Sequence, residues 1–442
     1  MFTRLIKLLP AVIIICSSQV VSAQRGDSLK ADLQLLKTKL ETIHPALYAY
    51  TSQVRMEQLF DSCYQQLNDD TDDRQFYGII KVLLSAVRDG HLSSGASPRF
   101  SQVIHSGNTY IPLITYFKGD SIFIINSIDN KIPAGSRLVS INSHPATAIR
   151  QKLYDYLMSD GYSTSKQALI LNQIFYFYYY LAYGYSAGFT VEYISPSGES
   201  ATVALPASEE KTINALKTPE EEQPLLSATF TEDHICILGI RTFNAADLQQ
   251  SRLNYPAFLE KTFRKIKQDG VQKLIIDLRD NGGGRDEYGV MLYAYLTKQA
   301  FRYYRYLEKD KKKLSGRPGL GKQQPAKLSY NGNLWVLTGG YTFSAAAEFC
   351  SVVYSNHRGT FIGQETGGAY EGNHSGQLIQ FELPSSKVTV WIPTTQYVMD
   401  VIPAKYPGHG IIPHLQVQAS VSEYLRHEDR VLQEALLQAR SN

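Results

Sequence analysis

The chain has 442 residues, 43% of them hydrophobic and 19% charged, which is long and apolar enough for two or three packed domains and lacks the polar bias of a disordered chain. Its formal charge of +3 falls to about +1 without Arg4 and Lys7, too balanced to imply nucleic acid as a partner. Four widely spaced cysteines exclude a disulfide framework, and with no CxxC, HExxH or paired-histidine pattern the chain implies neither a metal nor any other cofactor.

At the N-terminus, Arg4 and Lys7 precede an apolar run from Leu8 to Cys16 and then Val21-Ser22-Ala23. This is the layout of a secretory signal peptide over residues 1–23, with cleavage near Ala23. The apolar run is far below the roughly 20 residues that span a bilayer. The expectation is therefore export, to the periplasm or the exterior, without a stable membrane span. Ile13-Ile14-Ile15 stand where a lipidated Cys16 would want small residues. Cleavage removes that cysteine and leaves Cys63, Cys236 and Cys350, enough for one bridge at most.

From Ser28 to about Leu84, apolar residues recur at helical spacing, with a break at His44-Pro45. This helical N-terminal region (27–100) ends in Arg88-Asp89-Gly90-His91, where Gly90 suggests a turn that exposes His91. Residues 105–207 read as a β-rich domain: Tyr110 to Tyr116, Ser121 to Ile125 and the stretch IPAGSRLVSIN lead into a helix from Ala148 to Met158, and Phe189 to Ile194 pairs with Ala201 to Leu205 around Ser195-Pro196-Ser197-Gly198. That order resembles a PDZ domain. An aromatic tract, Phe175 to Tyr180, interrupts it and reads as an inserted packed helix or hairpin, the sharper alternative being an aromatic wall facing substrate.

Lys211 to Leu226 reads as a linker, and Lys309 to Lys313 as a solvated loop. Residues 225–440 then alternate strands (Ile235 to Ile240, Lys273 to Leu278, Leu334 to Leu337, Thr360 to Ile362) with helices (Pro256 to Gln268, Tyr288 to Leu296, about Ser344 to Tyr354). That rhythm predicts an α/β domain with a partly parallel sheet, whose functional residues sit at the carboxyl ends of its strands. Gly316 to Lys322 imitates a phosphate loop, but Gln323 stands where Ser or Thr would hold magnesium and no apolar strand precedes it.

Three strand ends carry the candidate chemistry. Leu274 to Leu278 runs into Gly282-Gly283-Gly284, whose backbone N–H groups could converge on an anion. Leu334 to Leu337 leads through Gly339-Gly340 to Ser344 and then Ala345-Ala346-Ala347, so Ser344 lies at a helix N-terminus, where unpaired N–H groups favour developing negative charge. Taken alone, Ser344 would be an ordinary N-cap. Phe361-Ile362-Gly363-Gln364-Glu365 ends in an acidic tip. No GxSxG elbow occurs, which argues against an α/β-hydrolase esterase.

In order and approximate spacing, LIIDLRDNGGG, GGYTFSAAAEF, FIGQETGG and a closing GHGIIPH resemble the catalytic domain of C-terminal processing, or tail-specific, serine peptidases. The resemblance implies a crotonase-like fold, a peptide or protein substrate, and Ser344 as nucleophile. Members with a serine-lysine dyad carry the lysine where this chain has Glu365. Asp89-Gly90-His91-Leu92 is nearer the histidine-bearing, tricorn-like branch, and implies His91 as base with Glu365 orienting it, Asp89 and Glu371 competing for that role. The N–H groups of Gly283 and Ala345 would form the oxyanion hole, each worth about 3 kcal/mol. The PDZ-like region implies capture of substrate C-termini by strand addition. The competing expectation is a peptide-binding protein that keeps the fold and has lost efficient catalysis, motivated by the missing lysine.

Overall fold

A computed structural model of the protein describes residues 24–219 and 222–441. The expected signal peptide lies outside them. The N-terminal helices form where the apolar spacing predicted: α1 (Arg25–Ile43), α2 (Gln53–Gln66) and α3 (Asp73–Ala86). Leu29, Leu33, Leu36 and Leu40 make one buried stripe on α1, which stops before Pro45 because the residue ahead of a proline is driven to extended backbone. Asp72 and Gln75 close a capping box at the start of α3. After α3 the chain turns through Asp89-Gly90-His91 into a short strand, β1 (Ser93–Gly95), and helix α4 (Pro98–His105).

The central unit is an antiparallel sheet in the order β2 (Leu113–Lys118), β3 (Ser121–Ser127), β4 (Ser136–Ile141), β5 (Gly188–Ile194) and β6 (Ser200–Pro206), with α5 (Ala146–Tyr154) and α6 (Ser165–Tyr183). The aromatic tract is the second half of α6 and is mostly buried, with Ile174 bending the helix just before it. This unit and the N-terminal helices share one continuous apolar core, running from Leu29 through Phe175 to Leu205.

The α/β class holds in the remainder. Strands β7 (Leu226–Phe230), β8 (Ile235–Ile240), β9 (Lys273–Asp277), β11 (Asn333–Thr338), β12 (Thr360–Gly363) and β15 (Leu415–Gln416) form one sheet, parallel except for β7. Helices α7 (Tyr255–Gln268), α8 (Asp286–Ala294) and α9 (Ala345–Ser355) pack on one face, while α10 (Arg430–Ser441) covers the other over Ile275, Trp335 and Ile362. Central strands buried on both faces explain the unbroken apolar runs in the sequence.

A long hairpin escaped the sequence reading: β13 (Gly372–Glu382) and β14 (Thr389–Met399), with β10 (Tyr304–Lys309) on the same antiparallel sheet. It ties the molecule together. β1 pairs with β14, and the buried carboxylate of Asp32 on α1 accepts the Ser385 and Ser386 N–H groups at the hairpin's tip. These contacts set the turn at His91 against the carboxyl ends of the parallel sheet.

Candidate active site

Between β11 and α9 the loop is folded by its own side chains. Thr342 donates its hydroxyl to Leu278 O (2.8 Å) and accepts the Gly339 N–H (3.0 Å), and Phe343 N–H reaches Asn281 O (3.1 Å). Ser344 follows at φ 52° and ψ −131°, a left-handed conformation that is uncommon for any residue with a side chain. Close neighbours hold it there. A Cβ on Gly283 would meet Ser344 Cβ at 2.7 Å, and one on Gly368 would meet Ala347 Cβ at 2.5 Å, so both positions must be glycine. Ser344 makes no side-chain cap for α9. Its Oγ lies instead 3.1 Å from His91 Nε2.

His91 reaches this position from the other end of the chain. It is not exposed, as the Gly90 turn suggested: its side chain is 14% accessible, and its ring lies 4.6 Å, centroid to centroid, from that of Phe343. Burial pushes the imidazole down to about 4; the charge of Asp89 works against this, and the charges of Lys166 and His374 add to it. The ring is therefore neutral at pH 7, the form able to accept a serine proton. Lys166, on α6, sits with Nζ 3.5 Å from the Phe343 centroid and donates to Gly90 O at 3.4 Å. Asp160 accepts the Gly90 N–H (2.7 Å), and its carboxyl is raised to about 7 by burial and by the charge of Asp89.

Behind His91 lies Asp89, fully buried. Its Oδ1 accepts the His91 backbone N–H (2.7 Å) and stands 3.9 Å from His91 Nδ1, a buried atom that has no hydrogen-bond partner. Its Oδ2 is 2.8 Å from His44 Nε2 and 3.0 Å from His374 Nδ1. Burial alone would raise the Asp89 carboxyl, but the hydrogen bonds from His374 and His44 outweigh it and hold the group well below the ordinary carboxylate range.

Three other expected site residues, Glu365, Glu371 and Gly283, have different engagements. Glu365 accepts from His409 Nδ1 (3.0 Å) and from the Gly410 N–H (2.9 Å), and lines a cavity of about 590 Å³ with Lys118, Arg150 and Thr164. Its carboxylate serves the closing GHG turn, not His91. Glu371 likewise accepts the Ala404 N–H. Gly283 donates its N–H to Asn281 Oδ1 (2.9 Å), so that group is already satisfied in this conformation. Ala345 stands at the first position of α9, where the helix's own ladder supplies no carbonyl. The expected oxyanion pair is therefore reduced to the Ala345 N–H.

His44, Asp89 and His374 approach one another closely enough to suggest metal ligands. The donor set argues otherwise. His44 Nδ1 accepts the Ala46 N–H at 3.2 Å, so the ring proton sits on Nε2, the nitrogen a metal would need bare, whereas a ligating histidine donates from its second nitrogen. Cys63, Cys236 and Cys350 are buried free thiols, and among the described residues none joins a group of close metal-ligand atoms. Sequence reading missed His44, His374, Asp160 and Lys166. His44 was visible only as a helix stop, and nothing in the polar stretch around His374 marks it as a strand entering the site.

The family model described as Peptidase family S41 matches residues 234–417. Among solved structures, mature CPAF is similar at 14% identity with a TM-score of 0.64, covering 94% of this chain and 98% of that one. Mature CPAF complexed with lactacystin gives 14% identity and 0.63 over 94% and 99%. The photosystem II D1 C-terminal processing protease gives 14% and 0.42 over 90% and 96%. At such identity the CPAF likeness is one of fold. No curated protein sequence matches the chain. Among the described residues, no helix is long and apolar enough to cross a membrane.

Proposed function

We propose that this serine peptidase hydrolase, whose S41 domain covers residues 234–417, is exported and cleaves peptide bonds through an acyl-enzyme on Ser344, with His91 as base. The observation that carries the reading is the 3.1 Å approach of His91 Nε2 to Ser344 Oγ, made by two residues 253 positions apart, with the serine held in a strained backbone at a helix N-terminus. Ser344 Oγ gives its proton to Nε2 and attacks the carbonyl carbon. The oxygen of the tetrahedral intermediate takes the Ala345 N–H, and the imidazolium returns the proton to the leaving amine; water then repeats the cycle against the ester. Asp89 is the carboxylate nearest Nδ1 and replaces Glu365 as the residue that steadies the imidazolium. This is the acyl-transfer chemistry of the histidine-bearing branch. Export rests on the layout of residues 1–23.

Strand addition of substrate C-termini at β2 of the PDZ-like sheet is not part of the proposal. That edge is already covered: Phe117 donates its N–H to Asn172 Oδ1 (2.8 Å) on α6, and Phe117 O accepts from Gln418 Nε2 (3.1 Å). Among the described residues the opposite edge, β6, pairs only with β5. The test of the central claim is labelling by a fluorophosphonate. Wild type should label and Ser344→Ala should not, with turnover lost in parallel. A folded wild type that binds peptides but neither labels nor cleaves them would leave the binding-protein reading in its place.

A further inference from the structure

Asp89 is shared by three imidazoles. His44, just past the end of α1, and His374, on β13, both approach Oδ2, their rings meeting edge to face with centroids 5.1 Å apart. The His91 backbone N–H holds Oδ1. All four groups are buried or nearly so. A buried carboxylate with a single donor would take up a proton or swing toward that donor. Two donors from separate elements on one oxygen prevent both and leave Oδ1 turned toward His91, whose Nδ1 is unpartnered at 3.9 Å. Resting on the peptidase reading above, we propose that His44 and His374 are positioning residues, which through Asp89 fix an ionised carboxylate behind His91, onto which Nδ1–H closes as Nε2 takes the serine proton. No proton passes to Asp89; one hydrogen bond forms.

The two histidines act through different nitrogens, and this makes the inference specific. His44 bonds through Nε2 and His374 through Nδ1. A glutamine amide reaches about as far as Nε2 and an asparagine amide about as far as Nδ1, so His44→Gln and His374→Asn keep the donors in place while the exchanged amides do not. The charged and titratable groups facing Asp89 are His44, His91, His374, Asp160, Lys166 and, beyond them, Tyr50. Of these, His374 is raised above its ordinary value: burial lowers it, but the hydrogen bond and charge of Asp89 prevail.

The experiment measures fluorophosphonate labelling of Ser344 in the full chain against pH, together with turnover of a fluorescent casein. His44→Ala and His374→Ala should each slow labelling roughly tenfold or more, the scale of a disturbed general base. His44→Gln and His374→Asn should recover most of the loss, and His44→Asn and His374→Gln should not. His374→Asn also removes a cation beside His91, so its acid limb should move to higher pH than in wild type. Alanine variants that label at the wild-type rate with an unmoved acid limb would overturn the proposal, as would exchanged amides that rescue equally well. Should the alanine variants fail to fold by near-ultraviolet circular dichroism, the matched and exchanged amides decide alone. A wild type that does not label refutes the peptidase reading; a labelled wild type indifferent to these substitutions refutes only the role of the two histidines.

Discussion

Ser344 carries its cost in the backbone. A residue with a side chain at φ 52° and ψ −131° forfeits about 1–3 kcal/mol relative to a relaxed conformation, and the hydrogen bonds of Thr342, Phe343 and Asn281 hold it there. Glycine has no such penalty. Ser344→Gly should therefore unfold at a higher temperature than Ser344→Ala, by about 1 kcal/mol in chemical denaturation, while neither variant turns over substrate. Equal stability of the two would show that the serine conformation is unstrained. The serine's place between a strand and a helix N-terminus was legible in the sequence, from a strand, two glycines and an alanine-rich helix around it. Its conformation was not, because φ is set by contacts with Gly283 and Gly368 that come from distant strand ends.

Elements were legible where one physical signal sufficed. Apolar spacing marked α1 and α3, and doubly buried parallel strands marked β8, β9 and β11. The hairpin of β13 and β14 gave no such signal: β13 is mostly polar and exposed along its second half, and it exists because β14 pairs with it. With it went His374 and half of the support for Asp89. The aromatic tract illustrates the converse. Its packing inside α6 was the plainer of two readings, and α6 also closes one of the two edges of the PDZ-like sheet. With β2 covered, a peptide and its C-terminal amide should be cleaved with similar kcat/KM. A preference for the free acid beyond roughly tenfold, or 1.4 kcal/mol, would mean that a C-terminus is held at β6 or that α6 and Gln418 give way to it.

At the scale of the whole molecule, burial of acids makes stability depend on pH. Glu348, one turn into α9, is raised from 4.5 to about 7 by burial, against hydrogen bonds from Tyr304 and Asn373 that favour its charged form. The folded chain keeps a proton that the unfolded chain has released, so this contribution is complete below the ordinary 4.5 and is lost as pH rises through 7. Glu348→Gln should accordingly raise Tm relative to wild type at pH 8, by about 2–4 °C for each kcal/mol relieved, and give no gain at pH 4. A Tm difference that does not change with pH would place the cost elsewhere. The same long-range construction has a consequence for synthesis. His44, Asp89 and His91 are made early, Ser344 late and His374 later still, and the turn carrying His91 is braced by a hairpin that ends at Met399. Chains emerge and fold from the N-terminus. A ribosome-bound chain therefore has no assembled relay until most of it has been translated, and a product that stops short of the hairpin lacks the brace behind His91.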